Sequence, residues 1–294
     1  MNLRALSISR TNQKRQVFGQ ERIMRGITFI VLVILSCILL FPLAWMLSTS
    51  LKLPSNVFSI PIQWIPNPVA WGNYGEAVHD FPFWTFLGNT LFYCVSDTII
   101  VVVSSAISAY AFARLRWRGR NVVFVLMLAT MMIPFPVTMI PTYLIFKGLG
   151  WLNSFKPLIL PDLTASPFYV FLLRQFFLSI PTELSEAAFV DGASHWRVFW
   201  QIILPLAKPA LLVVAIFTFT ADWNNFLGPL IYLNDQSKYT LALGLQWFQG
   251  SQWHGAHYEL MMAAAMLMTL PMVVLFFVAQ KYFVQGITMT GSKG

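Results

Sequence analysis

Six long segments that are almost free of charged side chains dominate this sequence. A helix needs roughly 20 apolar residues to cross the hydrocarbon of a bilayer, and each segment reaches about that length. They cover approximately residues 27–47, 86–112, 121–145, 157–178, 209–232 and 261–284. The chain is only 10% charged, whereas soluble domains carry roughly 25% charged residues. We therefore predict an all-α membrane protein with a six-helix bundle.

The distribution of basic residues predicts the orientation of the six segments. With the N-terminus placed in the cytoplasm, the segments on that side hold 15 of the 19 lysines and arginines. Cytoplasmic loops are enriched in these residues, so both termini are expected inside the cell, with the chain in the cytoplasmic (inner) membrane. The net charge of +8 is confined to short segments between apolar runs, so nucleic acid is not an expected partner.

The first apolar segment is expected to remain in the mature chain. A cleaved signal peptide has an apolar stretch of about 7–15 residues followed by a small-residue cleavage site. The segment at 27–47 is longer and shows no such site. We therefore divide the chain into a basic cytoplasmic N-terminus at 1–25, a transmembrane domain at 26–290 and a cytoplasmic tail at 291–294.

Three prolines lie close together in the third segment, at Pro134, Pro136 and Pro141. Proline removes a backbone donor and disrupts a helix, although neighbours in a membrane bundle satisfy the freed carbonyls. Of the six segments, the third is the one expected to be broken or bent.

The longest cytoplasmic loop, residues 179–208, has the pattern of two short helices. The first is expected to begin near Thr182, with Glu183 in its first turn, where the helix dipole favours a carboxylate. Gly192 suits the left-handed position that follows a helix, and Ser194 suits the cap of the next helix. We predict a helix–turn–helix on the cytoplasmic face, with small residues that permit close approach by another surface.

Three parts of this loop together resemble the EAA loop in the permeases of ATP-binding-cassette importers. They are Glu186-Ala187-Ala188, Asp191-Gly192-Ala193 and Ile203-Leu204-Pro205. In that family E-A-A is followed about three positions later by D-G, and then by an apolar stretch ending in L-P. Further segments resemble the sugar-importing branch, within it the six-helix subunit typified by the smaller maltose permease: Ala109–Arg114, Met132–Pro134, Arg174–Phe177 and Trp223–Leu227.

The resemblance implies a role for the loop. In this family the EAA helix docks in a cleft of a separate ATPase, and closure of the ATPase pair on ATP moves the membrane bundles. The residues assigned to this coupling are Glu183, Glu186, Ala187, Ala188, Asp191 and Gly192. The alternative is an amphipathic helix pair lying on anionic lipid. Such helices are usually rich in Lys and Arg, whereas this loop has three acids and no base before Arg197.

The resemblance also implies the partners. They are a second homologous permease, two copies of an ATP-binding-cassette ATPase and an extracytoplasmic solute-binding protein. ATP and Mg would be bound by the ATPase, because this chain has no Walker sequence and no constellation typical of catalysis. We expect this subunit to be no enzyme and to bind no cofactor or metal.

Polar residues inside the apolar segments are candidates for a substrate pathway. A carboxylate at membrane depth is costly, so it should face protein or a watery cavity. The candidates are Asp97, Asp222, Trp223, Asn224 and Asn225. Amides, carboxylates and an indole suit a polyol, although interhelical hydrogen bonding is an equal alternative for 222–225 and the favoured interpretation for Asp97 and Asp162.

Three functions are considered for a chain with this sequence. The first is the permease of an ATP-driven importer for a sugar or oligosaccharide, or for another small polar solute such as a glycerol-phosphate-like compound. The second is an ion-coupled secondary transporter, which predicts charge relays or paired broken helices in two symmetric halves. The third is a membrane scaffold, which gives no reason for the loop pattern. The loop favours the first.

Overall fold

The computed structural model describes the backbone of residues 3–79, 82–249 and 257–291, and the side chains of 24–79, 82–246, 248 and 257–280. Within these ranges the chain is helical and has no strand. The helices are α1 Leu3–Ser50, α2 Gly72–His79, α3 Phe83–Arg114, α4 Arg120–Ala129, α5 Phe135–Gly148, α6 Lys156–Ile159, α7 Pro167–Ser179, α8 Glu183–Val190, α9 His195–Val198, α10 Leu204–Leu206, α11 Lys208–Trp223, α12 Leu227–Tyr232, α13 Leu241–Gly244 and α14 Tyr258–Gly291. A π-helical turn, Phe199–Ile203, joins α9 to α10. The predicted all-α class is confirmed, and most of the tail predicted at 291–294 lies outside the described residues.

Three helices are long and apolar enough to cross a bilayer alone: Met24–Ser50 of α1, all of α3, and Tyr258–Gln280 of α14. Three further pairs of segments meet the requirements of length and hydropathy when each pair is taken together, and each pair is bent at a short break. They are Arg120–Met132 with Phe135–Gly148 (98°), Lys156–Ser179 with Glu183–Val190 (75°), and His195–Leu206 with Lys208–Trp223 (77°). The described residues thus hold three spans, or up to six when each bent pair is counted as one.

The break in the third segment lies among the prolines. Ile133 is extended (φ −81°, ψ 112°) because a following proline disfavours the helical conformation of the residue before it. α5 then begins at Phe135, with Pro136 in its first turn. Backbone N–H groups in the first turn have no partner within the helix, so proline loses no hydrogen bond there. The predicted break is therefore present.

The fifth segment, expected as one helix over 209–232, is two helices. α11 ends at Trp223 and α12 begins at Leu227. The Oδ1 of Asn225 accepts a hydrogen bond from the Gly228 backbone N–H at 3.0 Å. Asparagine side chains compete with helical hydrogen bonds in this way, so Asn225, which lies between the two helices, stabilises the break by bonding the first turn of α12.

The fourth segment is also interrupted. α6 is followed by a 3-10 stretch, Leu160–Thr164. Ala165 has a positive φ (67°) with ψ 138°. Ser166 is extended ahead of Pro167, as expected for a residue before proline. The continuous helix therefore covers only the later part of the expected span, as α7.

α3 is the central helix, because it contributes to both clusters of buried apolar side chains. One cluster joins the end of α3 nearest Arg114 to α7, α11 and the segment after α8. The other joins the end of α3 nearest Phe83 to α2, α11 to α13 and α14. α3 therefore connects the two ends of the molecule.

Two segments contribute little to either cluster. None of the side chains of α5 is buried, and the apolar side chains of α1 from Ile27 to Phe41 are largely exposed. Lipid is as apolar as these side chains, so exposure of this kind is compatible with a chain that lies in a bilayer.

Candidate functional sites

The helix–turn–helix predicted within 179–208 is present, and its turn is well defined. Gly192 has φ +79°, the left-handed conformation predicted for it. The Gly192 N–H donates to Phe189 O at 3.0 Å, and the Ala193 N–H donates to Ala188 O at 2.9 Å. This pair of bonds is the Schellman motif. The next helix begins as predicted, because the Ser194 Oγ accepts the Arg197 N–H at 3.3 Å.

The first arm, α8, projects from the molecule. Of the six candidate coupling residues, Glu183, Glu186, Ala187, Asp191 and Gly192 are exposed, and Ala188 is half-buried. Apolar side chains are exposed beside them: Val190 is 88% exposed, and Leu184 and Phe189 are also exposed. α8 therefore presents a mixed surface of exposed apolar and acidic side chains, a combination that is common at interaction sites.

The second arm, by contrast, has one side buried in the core, although Trp196 and Trp200 on its other side are exposed. Val198, Phe199 and Ile203 are at most 2% exposed and pack in the cluster around α3 and α7. The Tyr110 hydroxyl of α3 donates to His195 O at 3.2 Å, and its ring lies 5.1 Å from that of Phe199. The second arm is therefore held against α3 by a hydrogen bond and close packing.

A second group of polar side chains is buried between α3 and α11. The Tyr93 hydroxyl donates to Asp222 Oδ1 at 2.9 Å and accepts from Asn225 Nδ2 at 3.0 Å. Asp97, which is 2% exposed, lies near Asp222 and Asp162 and interacts electrostatically with both. The three carboxyl groups, distant in sequence, thus meet in one place.

Tyr93 was not identified from the sequence, although it holds this network together. The available signal is its position, four residues before Asp97 and so on the same face of α3. A tyrosine in an apolar helix is usually read as a hydrophobic residue, and its hydroxyl becomes informative only when the partners from α11 are known.

A cavity of about 550 Å³ lies between α11 and α14. Its lining is mostly apolar, with polar side chains from Thr220, Asn224 and Thr269. Asn224 is exposed and its Nδ2 donates to Thr220 O at 2.8 Å. Trp223 is 1% exposed, and its Nε1 donates to Met268 O at 3.2 Å.

The candidate pathway residues therefore separate into two groups. Trp223 and Asn224 line the cavity. Asp222 and Asn225 face the tyrosine of the buried network instead, and Asp97 lies deep within that network. The cavity wall from α14 was not expected from the sequence.

Comparison with known proteins identifies the class. A family described as binding-protein-dependent transport system inner membrane component matches residues 102–289. The chain belongs to this family. It is 32% identical to the diacetylchitobiose uptake system permease protein NgcG of Streptomyces coelicolor, over 91% of this chain and 88% of that protein. It is 34% identical to the sn-glycerol-3-phosphate transport system permease protein UgpE of Yersinia enterocolitica, over 88% of this chain and 94% of that protein.

The fold of this permease is also that of a solved importer. A bacterial ABC transporter involved in the import of the acidic polysaccharide alginate superposes with a TM-score of 0.79 at 27% identity, covering 90% of this chain and 98% of that one. The resemblance to importer permeases seen in the sequence is thus confirmed, and the chain is a membrane-spanning transport subunit rather than a catalytic one.

Proposed function

We propose that this permease forms one half of the pore of an ATP-driven importer, which passes a sugar or oligosaccharide from a solute-binding protein into the cytoplasm by alternating access. The relative NgcG belongs to a diacetylchitobiose uptake system, and the similar solved transporter imports alginate. The observation that carries the mechanism is the hairpin, whose first arm is exposed while its second arm is buried against α3.

In this proposal a separate ATPase binds α8. Glu183, Glu186 and Ala187 present the exposed surface, Ala188 packs inward and Asp191 with Gly192 sets the turn. ATP and Mg bind to the ATPase, of which two copies act with this chain and a second homologous permease. This assignment places α8 and both termini in the cytoplasm, in agreement with the bias of basic residues.

The cavity between α11 and α14 would contribute the substrate contacts. Asn224 offers an amide, and Thr220 and Thr269 offer hydroxyls, whereas Trp223, which is 1% exposed, only supports the wall. In the same proposal Asp222, Asn225 and Asp97 hold the end of α11 against α3 rather than bind substrate. Tyr93 of α3 bonds Asp222 Oδ1 and the Asn225 amide, and Asn225 also bonds the Gly228 N–H.

The absence of basic side chains from the described lining of the cavity supports a sugar over the alternative substrate class. A glycerol-phosphate-like compound is the alternative, because UgpE belongs to a glycerol-3-phosphate transport system. Phosphate is usually held by charge-assisted hydrogen bonds from Arg or Lys, and the described lining of this cavity contains neither. A neutral sugar therefore fits better than a phosphate ester.

The test begins with purification of the tagged chain from its native membrane in mild detergent. We expect an ATPase and a second permease to co-purify, and the reconstituted complex to take up a neutral oligosaccharide only with ATP and its binding protein. An excess of glycerol phosphate should not compete. Uptake by this chain without an ATPase would refute the mechanism, and inhibition by glycerol phosphate would refute the substrate class.

A further inference from the structure

The ends of α3 and α7 are capped by arginines that each helix supplies to the other. Arg114, the last residue of α3, donates through Nη2 to Phe177 O at 2.6 Å and to Ile180 O at 2.5 Å. Arg174 of α7 donates through Nε to Phe112 O at 3.3 Å, and its guanidinium lies 4.3 Å from the centroid of the Phe124 ring. We call this reciprocal pair the arginine clamp.

The arginine clamp places positive charge beside the negatively polarised C-terminal ends of two helices. The last carbonyls of a helix have no partner within it and carry partial negative charge. α3 and α7 both end at the level of the hairpin, so two such ends lie side by side. A guanidinium supplies several donors in a fixed plane and remains charged. It is therefore suited to bond the carbonyl oxygens at the ends of these two helices.

The clamp also holds the hairpin to α3. Ile180, which accepts from Arg114, begins the segment that leads into α8. Tyr110, one turn earlier on α3, holds His195 O immediately after the turn. Side chains near the end of α3 therefore form hydrogen bonds with the chain just before α8 and just after it, while α8 itself is exposed.

The opposite part of α3 carries Tyr93 and Asp97 of the buried network. α3 is one continuous helix from Phe83 to Arg114, and Tyr93 lies about 30 Å along it from Arg114 at the usual rise per residue. A rigid helix with both ends bonded transmits displacement better than a loop does, so α3 connects the hairpin to the end of α11 and its cavity.

We propose that Arg114, supported by Arg174, is a positioning residue that transmits movement of α8 along α3 to the polar network. The proposal rests on the proposed function, in which α8 receives the movement of an ATPase. Basic residues near the cytoplasmic face also serve as topology signals. A topology signal requires charge alone, whereas the clamp requires donors at two specific carbonyls.

The test uses the full complex with its ATPase and binding protein in proteoliposomes, and compares Arg114→Met, Arg114→Lys and Arg118→Met. Arg118 is an exposed arginine in the segment that follows α3, and it serves as the matched control. In Arg114→Met we expect ATPase binding to persist while solute taken up per ATP hydrolysed falls about tenfold or more, because a lost positioning contact acts on coupling. Arg114→Lys should recover part of this ratio, and Arg118→Met should match the wild type.

A second measurement follows the distance between the hairpin and the far part of α3. Spin labels at Thr182→Cys, immediately before α8, and at Phe92→Cys, both exposed positions, report the distance from the start of α8 to the far part of α3 once Cys37 and Cys94 are replaced. Arg114→Met should broaden this distance distribution, and Arg118→Met should not.

Three results would overturn the proposal: an unchanged uptake-to-hydrolysis ratio in Arg114→Met, an unchanged distance distribution, or equal loss of assembled complex in Arg114→Met and Arg114→Lys. The last result would mean that the arginine serves folding alone. Failure of the wild-type complex to couple uptake to hydrolysis would instead refute the proposed function, so the two failures are distinguishable.

Discussion

Gly192 offers a direct test of whether the backbone of the hairpin turn positions α8. Its φ of +79° is left-handed, and a Cβ added there meets no atom within 4 Å. Gly192→Ala therefore introduces conformational strain without a clash inside the chain. A non-glycine residue in this conformation costs roughly 1–2 kcal/mol, equivalent to about a 5–30-fold change in an equilibrium constant.

The measured quantity is the affinity of the ATPase for the permease in nanodiscs. When the strain displaces the turn, Gly192→Ala should weaken binding by up to about 30-fold, since only the fraction with the native turn is competent. Gly192→Asn should weaken binding much less, because asparagine tolerates the left-handed conformation. Gly192→Asp should leave insertion intact and uncouple uptake from hydrolysis, since it adds charge as well as strain.

The chain contains a matched control for this strain. Gly119, before α4, has φ +86° and also has open space where a Cβ would stand. Gly119→Ala should lower the free energy of unfolding by about 1–2 kcal/mol and leave the affinity for the ATPase unchanged. If Gly192→Asn binds more weakly than Gly192→Ala, side-chain bulk at the docking surface decides affinity and the backbone argument fails. Wild-type affinity in Gly192→Ala would also refute it.

Three other substitutions test the remaining assignments. Glu186→Lys should leave membrane insertion intact but abolish ATP-coupled uptake, because it reverses a charge on the exposed face of α8; normal uptake would discredit the docking surface. Asn224→Ala should raise the KM for uptake by about five- to tenfold through loss of one hydrogen bond, with Asn234→Ala, at an exposed position, as the control; an unchanged KM would remove Asn224 from the pathway. Tyr93→Phe should lower the free energy of unfolding by about 1–3 kcal/mol, because it leaves buried Asp222 without its donor; an unchanged thermal midpoint in detergent would show that the network does not stabilise the bundle.

Features that depend on neighbouring residues in the chain were predictable from the sequence. The break before Pro134 follows from the effect of proline on the preceding residue, and the left-handed turn at Gly192 follows from the absence of a Cβ. The cap at Ser194 is local in the same way. The hairpin could therefore be outlined from its own residues, and the family pattern supplied its expected partner.

Features that depend on distant residues were not predictable in this way. The break between α11 and α12 involves Asn225, whose amide donates to a tyrosine 132 positions away. The meeting of Asp97 with Asp222 requires the packing of α3 against α11. The clamp likewise joins Arg114 to carbonyls more than 60 positions away, and an arginine near a membrane edge is otherwise explained by topology alone.

The exposed α5 has a consequence for how cells must produce this protein. Among its side chains, only Tyr143 and Phe146 reach a core cluster, and none is buried. Between lipid and a bare apolar helix there is little difference in hydrophobic free energy, so in the proposed importer α5 would gain a fixed position by packing against the second permease. Synthesis of the two proposed subunits in matched amounts would then be a structural requirement, and an excess of this one would be a substrate for membrane quality-control proteases.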